Sequence, residues 1–141
     1  MVIKTHYLQL NSPGNGKALD LTDRINDTVL ESGIVDGMVI LFVPGSTAAI
    51  TTIEYEPGVL SDLENAIERL APLNIPYAHD QAWGDGNGHA HVRAAMIGPD
   101  LIVPVVNGRP TLGTWQQVVL IDFDNRPRKR KVICQVIGNV Q

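Results

Sequence analysis

The last third of the chain consists largely of β-forming residues, and this feature limits the possible folds more than any other. Three runs have the composition and length of strands, at residues 101–106, 111–123 and 131–137. Asn107 and Gly108 separate the first two runs, and both residue types tolerate the positive φ angles of a two-residue hairpin. The pattern predicts antiparallel strands that are neighbours in one sheet.

Further strands are predicted before this region, at residues 2–10, 38–43 and 48–55. The run at 38–43 is apolar without interruption, which predicts a strand that is buried on both faces. Two helices are predicted between the strands. The first covers residues 20–32 and ends at Gly33, a residue suited to the position after a helix. The second begins near Gly58, where Ser61 and Glu64 have the spacing of a capping box, and it ends before Pro72.

Strands combined with separate helices predict an α+β fold, and 141 residues suit one domain, residues 1–141. Hydrophobic residues make up 44% of the chain, enough for a buried core. The net charge of −4 argues against a nucleic-acid partner, and the basic run at 126–131 is interpreted as a solvated turn and strand edge. No apolar run is long enough to cross a membrane, and the single cysteine, Cys134, suits the cytoplasm.

Three of the four histidines lie close together in a segment rich in glycine. We expect a short helix over about residues 91–97, with His91 in its first turn, His89 before it and His79 in the preceding loop. Such an arrangement allows the three imidazoles to converge on a divalent metal, most plausibly zinc, because imidazole is its commonest protein ligand. The alternative is a solvated polar loop that contains histidine by chance.

The start of this helix is also a candidate anion site. Free backbone amides and the positive end of the helix dipole attract phosphate or carboxylate groups, and Arg93 would strengthen that attraction. Glu54, at the end of a strand, is a candidate general base or metal ligand, with an exposed strand end as the alternative.

Several motifs together resemble the YjbQ family, whose members are called secondary thiamine-phosphate synthases. The resemblance covers nearly the whole chain. It is carried by the segment from Gly86 to Ala95, by Gly98-Pro99, by the segment from Gly113 to Gln117, and by the block from Gly45 to Glu54. Some members have a histidine where this chain has Gly45.

The resemblance implies a two-sheet β-sandwich with two main helices plus a short third helix, assembled as a homotrimer with a histidine-lined pocket near subunit boundaries. It also implies that Glu54, His79, Asn87, His91, Thr114 and Gln116 are functional, with His89 present as in many members. With Arg93 added from its expected place at the helix start, the expected metal ligands are His79, His89 and His91, and the expected catalytic residues are Glu54, Asn87, Arg93, Thr114 and Gln116.

The expected function is that of a metal-binding enzyme with thiamine-phosphate synthase-like activity on a phosphorylated small molecule. That reaction joins a thiazole phosphate to a pyrimidine-methyl pyrophosphate and expels pyrophosphate. Two alternatives remain open on the sequence: a non-catalytic trimeric module that binds a small anion or metabolite, and a structural trimer whose histidines are incidental.

Overall fold

The computed structural model describes residues 1–141 as two antiparallel sheets and four helices. The strands are β1 (Val2–Ser12), β2 (Lys17–Asp20), β3 (Ile34–Phe42), β4 (Ala48–Ile53), β5 (Asp100–Val106), β6 (Arg109–Pro110), β7 (Gln117–Asp122) and β8 (Arg128–Val140). The helices are α1 (Thr22–Ser32), α2 (Pro57–Leu70), α3 (Ala78–Trp83) and α4 (Gly88–Ile97). The predicted α+β class with two sheets is confirmed. No helix is long and apolar enough to cross a membrane.

The five-stranded sheet has the order β1-β8-β3-β5-β6, and the three-stranded sheet has the order β2-β7-β4. The main core fills the space between the sheets, where the inward side chains of both meet α1. A second core lies on the opposite face of the smaller sheet, beneath α2 and α4. Strand β7 contributes to both cores, since Val118 and Leu120 face the first and Val119 and Ile121 face the second.

The prediction that residues 38–43 are buried on both faces is wrong. Val39 and Leu41 are fully buried, whereas Met38 and Phe42 are 39% and 41% exposed. Strand β3 therefore buries one face only, and the strand that is covered on both sides is β7. Periodicity could not separate the two cases, because both strands are continuous apolar runs.

The outward face of the five-stranded sheet is largely apolar and uncovered. The antiparallel register aligns Ile3, Ile137 and Met38 in one row and Tyr7, Ile133 and Phe42 in another. The row between them contains Ile40 and Ile102 beside the polar Thr5 and Gln135. Ile3, Tyr7 and Ile102 are 62%, 58% and 56% exposed. Large exposed apolar surfaces often mark interaction faces.

Several boundaries differ from the prediction. Strand β2 was not expected, and α1 starts two residues later than the predicted helix as a result. The predicted strand at 111–123 is shorter, because residues 111–116 form a turn before β7. Strands β1 and β8 are longer, since they pair with each other over eleven register positions from Val2 to Ser12. Long-range pairing of this kind leaves little local signal in the sequence.

The hairpin turn at Asn107 and Gly108 is confirmed, since the two residues have φ angles of 52° and 76° between the paired strands β5 and β6. The strand predicted at 111–123 does not pair with β5, because β7 belongs to the smaller sheet. The helix end at Gly33 is confirmed as well, with a φ of 72°. The capping box at Ser61 and Glu64 is wrong. Helix α2 begins at Pro57, and the carboxylate of Glu56 accepts hydrogen bonds from the amides of Gly58 and Val59.

Candidate functional site

Helix α4 starts at Gly88, three residues before the predicted start, because α3 approaches it closely. A Cβ atom on Gly88 would lie 2.6 Å from Cβ of Tyr77, so only glycine fits without displacing the neighbouring chain. The Gly88 amide donates a 2.8 Å hydrogen bond to the carboxylate of Asp80. Asp80 thus places a negative charge at the positive end of α4, the position expected for an external anion.

The early helix start separates the histidines. His89 and His91 both lie within α4, where residues two apart point about 200° away from each other around the axis. His91 instead meets His79 of α3, which is helical and not part of a loop, with ring centroids 4.4 Å apart. No three His, Cys, Asp or Glu side chains of the chain are grouped so as to hold a metal. The expected convergence of three histidines is therefore wrong within one chain.

The histidine pair, His79 and His91, nevertheless has features of a partial metal site. His79 Nδ1 is buried without a hydrogen-bond partner and lies 3.6 Å from Oδ1 of Asp80, which the Gly88 amide holds in place. Metal-binding histidines usually donate a hydrogen bond from one ring nitrogen to a carboxylate, which leaves the other nitrogen for the metal. Asp80 lies on the side of His79 from which such a bond could form, but the distance of 3.6 Å is too long for a hydrogen bond. The donors fit two of the ligands that zinc requires.

His89 faces a different part of the molecule. It is 8% exposed and lines a cavity of about 420 Å³ between α2, α4 and the smaller sheet. Burial lowers the pKa of His89, and the positive charge of Arg93 lowers it further, so the imidazole is neutral at pH 7.

Arg93 does not face the start of α4. Its Nε and Nη2 atoms donate hydrogen bonds of 3.0 and 2.9 Å to the carbonyl oxygen of Ala71, and Nη2 also contacts Glu68 at 2.6 Å. These bonds join α4 to the end of α2 and also satisfy the Ala71 carbonyl, which follows the last turn of that helix.

Glu54, Thr114 and Gln116 lie away from the three histidines, and no hydrogen bond or ring contact connects the two groups. Gln116 accepts a hydrogen bond from the Gly113 amide and donates one to Thr52, which holds the turn against β4. Glu54 directly follows β4, at the same end of the strand as this turn. It lies roughly 20 Å along the extended chain from Thr47, the residue that precedes β4 at the other end. Thr114 and Gln116 line a separate cavity with α1.

A buried charge network was missed by the sequence reasoning. Asp122 and Asp124 are fully buried. Arg130 binds both carboxylate oxygens of Asp122, at 2.7 and 2.8 Å, while Asp124 receives hydrogen bonds from Thr47 and Arg128. The interpretation of the whole basic run as solvated is therefore wrong for Arg130, which is 8% exposed. The sequence did contain a signal for this network. Asp122 and Asp124 occupy alternate positions at the end of an apolar strand, and alternate residues of a strand share one face.

Asn87 connects this network to α4. Its amide nitrogen lies 3.5 Å from Asp124, and its Oδ1 atom is buried without a partner. Asn87 therefore lies at the start of α4, which was not predicted, and it faces the buried carboxylate of Asp124.

Comparison with known proteins identifies the family of this chain. The family described as "UPF0047 protein YjbQ-like" matches residues 6–139. A UPF0047 protein of Archaeoglobus fulgidus is 36% identical over 130 residues, which is 92% of this chain and 98% of the relative. One from Methanothermobacter thermautotrophicus is 34% identical over 98% of this chain and 94% of its own length.

Solved structures agree with the sequence comparison. A crystal structure from Sulfolobus solfataricus, titled as a YbjQ-like protein of unknown function, has a TM-score of 0.89 and 28% identity, covering 98% of this chain and 100% of the other. An uncharacterised yjbq/upf0047 family protein from Clostridium acetobutylicum has a TM-score of 0.85 and 33% identity, covering 94% and 99%. This chain belongs to the YjbQ (UPF0047) family.

Proposed function

We propose that this protein is a trimeric, metal-dependent enzyme that acts on a phosphorylated small molecule, in a reaction like that of thiamine-phosphate synthase. The observation that carries the proposal is the contact between His79 and His91, with Asp80 beside the inner nitrogen of His79. Two neighbouring imidazoles with a carboxylate close by are the donor types that bind a divalent metal, most plausibly zinc.

A second copy of the chain completes the site in this proposal. The histidine pair offers two ligands, whereas catalytic zinc sites use three protein ligands and one open position. Trp115 is 74% exposed in the turn that also carries Thr114 and Gln116, so this turn has a large side chain with no covering in its own chain. The apolar outward face of the five-stranded sheet supports association of this kind.

Each residue of the site then has a defined task. His79 and His91 bind the metal, and Asp80 positions the first of them. Thr114 and Gln116 of a neighbouring copy donate hydrogen bonds to the phosphorylated substrate, and Glu54 acts as a base or a further ligand. A bound metal would stabilise the negative charge of the departing pyrophosphate.

Two residues of the predicted site act indirectly in this proposal. Asn87 holds the start of α4 against Asp124, and Arg93 holds α4 against the end of α2. Both therefore keep His91 at its distance from His79 and do not touch the metal or the substrate.

A turnover assay tests the proposal. The purified protein is incubated with zinc, the pyrimidine-methyl pyrophosphate and the thiazole phosphate, and the release of pyrophosphate is measured. We expect activity in the wild type, its loss in His91→Ala, and its retention in Val92→Ala, a matched change at the next position of α4. Equal activity in wild type and His91→Ala would show that the histidine pair is not the site. Binding of either phosphorylated compound without turnover would favour the non-catalytic module.

A further inference from the structure

The cavity that contains His89 has no role in the function proposed above. It lies where α2 and α4 leave part of the smaller sheet uncovered, with Ala18 and Ile121 forming its floor. Its volume of about 420 Å³ falls in the range of roughly 300–1,000 Å³ that is typical of small-molecule sites. The histidine pair is not among the residues that line it.

The lining of the cavity suits an uncharged occupant that has both an apolar part and a polar group. Eight of the sixteen lining residues are hydrophobic, and apolar and polar groups contribute about equally to the surface of the wall. The apolar part includes Leu60, Leu63, Ile67, Leu73, Ile121 and Phe123. The four charged residues at the cavity, Lys17, Arg93, Glu64 and Glu68, carry two positive and two negative charges. Because these charges balance, neither an anion nor a cation gains a clear advantage over a neutral molecule.

Two polar groups at one end of the cavity have unused hydrogen-bonding capacity. His89 is more than nine-tenths buried, and neither nitrogen of its ring makes a hydrogen bond within the chain. Arg93 uses Nε and Nη2 on Ala71 and Glu68, so that its position is fixed while Nη1 has no partner in the chain. Both nitrogens of an imidazole ring can take part in hydrogen bonds, and the guanidinium is a donor.

We propose that this cavity binds an uncharged aromatic or heteroaromatic molecule, with one polar group hydrogen-bonded to His89 and to Nη1 of Arg93. The apolar side chains of the wall contact the ring, and the two polar side chains fix its orientation. Apolar contacts to a ring, together with polar groups placed to orient it, are usual elements of a small-molecule site. The site is separate from the metal site of the proposed function and does not depend on it.

The first test uses 2-naphthol, an uncharged ring compound with a single hydroxyl group. Amide chemical shifts of the isotope-labelled full chain are recorded during titration with it. We expect saturable shifts at residues of the cavity, including Ala18, His89 and Ile121. Shifts confined to the outward face of the five-stranded sheet, or no saturable shifts at all, would overturn the proposal.

Variants then separate the roles of the wall and of the polar end. His89→Leu keeps the size of the side chain but removes its hydrogen bond, so 2-naphthol should bind about fivefold more weakly while naphthalene binds as before. Ala18→Phe fills the cavity and should abolish binding of both compounds. The control Ala82→Phe, at an exposed position of α3, should bind like the wild type. Unchanged binding in Ala18→Phe would contradict the proposal even if His89→Leu failed to fold.

Discussion

The buried carboxylate of Asp124 should make the stability of the folded protein depend on pH. Burial alone would raise the pKa of Asp124, but hydrogen bonds from the Asn125 amide and the Thr47 hydroxyl and the charge of Arg128 together lower it below its usual value of 3.8. The ionised form of Asp124 is therefore the stabilising one. Its contribution is fully present above the unfolded-state pKa and is lost as the pH falls through the lower pKa of the folded state.

Asp124→Asn tests this account through the pH dependence of stability. At pH 7 the substitution should reduce the free energy of unfolding by about 1–3 kcal/mol, because hydrogen bonds to a buried charged group are lost. Below pH 4 the variant should lose less further stability than the wild type. Denaturant unfolding at a series of pH values measures both effects. The exposed substitution Asp62→Asn should leave the wild-type curve unchanged, and identical slopes for Asp124→Asn would contradict the account.

Cys134 offers a second prediction at the residue scale. It is fully buried in β8, and burial raises the pKa of its thiol to about 11. Since the thiolate is the reactive form, iodoacetamide at pH 8 should not modify the native protein, whereas it should modify the protein unfolded in urea. Mass spectrometry after timed quenching measures the extent. Labelling of the native protein at the rate of a free thiol would show that β8 is open or mobile.

At the scale of single elements, the helix ends show what sequence can and cannot predict. Gly33 was correctly placed because a glycine after a helix acts within its own turn. The predicted start of α4 was wrong by three residues, because the actual start depends on Tyr77, just before α3, and on Asp80 within α3. Because of that error, the prediction that His89 and His91 converge on one site was wrong as well. Residue types were sufficient to select the histidines, whereas their grouping required the packing of α3 on α4.

The start of α2 provides a direct comparison of two capping assignments. The structure assigns the cap to Glu56, whose carboxylate accepts bonds from two amides, and leaves Ser61 inside the helix. Glu56→Ala should therefore lower the Tm, because a helix start loses its hydrogen-bond acceptor. Ser61→Ala should leave the Tm unchanged or raise it slightly, since alanine is the better helix former. The opposite order of the two Tm values in thermal unfolding would favour the capping box.

For the whole molecule, the uncovered sheet face is the main feature that one chain leaves unexplained. The family resemblance implied two sheets, but neither it nor the strand pattern indicated which face of β3 lies outward. The register explains the difference, because it aligns β1, β8, β3 and β5 so that apolar side chains of all four strands lie on one surface. Such alignment is a property of the assembled sheet and is not visible in any single strand.

Substitution on this face should change the oligomeric state. We expect light scattering of the wild type at micromolar concentration to give about 46 kDa, the mass of three chains of 15.3 kDa. Ile102→Lys places a charge among the apolar side chains of the outward face and should yield monomers. Leu70→Lys changes an apolar residue of α2 that is even more exposed, 71% against 56%, and should leave the trimer intact. A monomeric wild type would contradict both the interface and the shared site.

Zinc binding to histidine variants tests the central claim of a metal site at His79 and His91 most directly. Isothermal titration calorimetry of protein purified without a histidine tag compares the wild type with His91→Ala, His79→Ala and His89→Gln. The account predicts that zinc binds to the wild type and to His89→Gln with similar affinity, because His89 faces a different cavity. It also predicts that His91→Ala and His79→Ala lose measurable binding while they retain the wild-type fold by circular dichroism. Equal zinc affinity in the wild type and His91→Ala would contradict the claim.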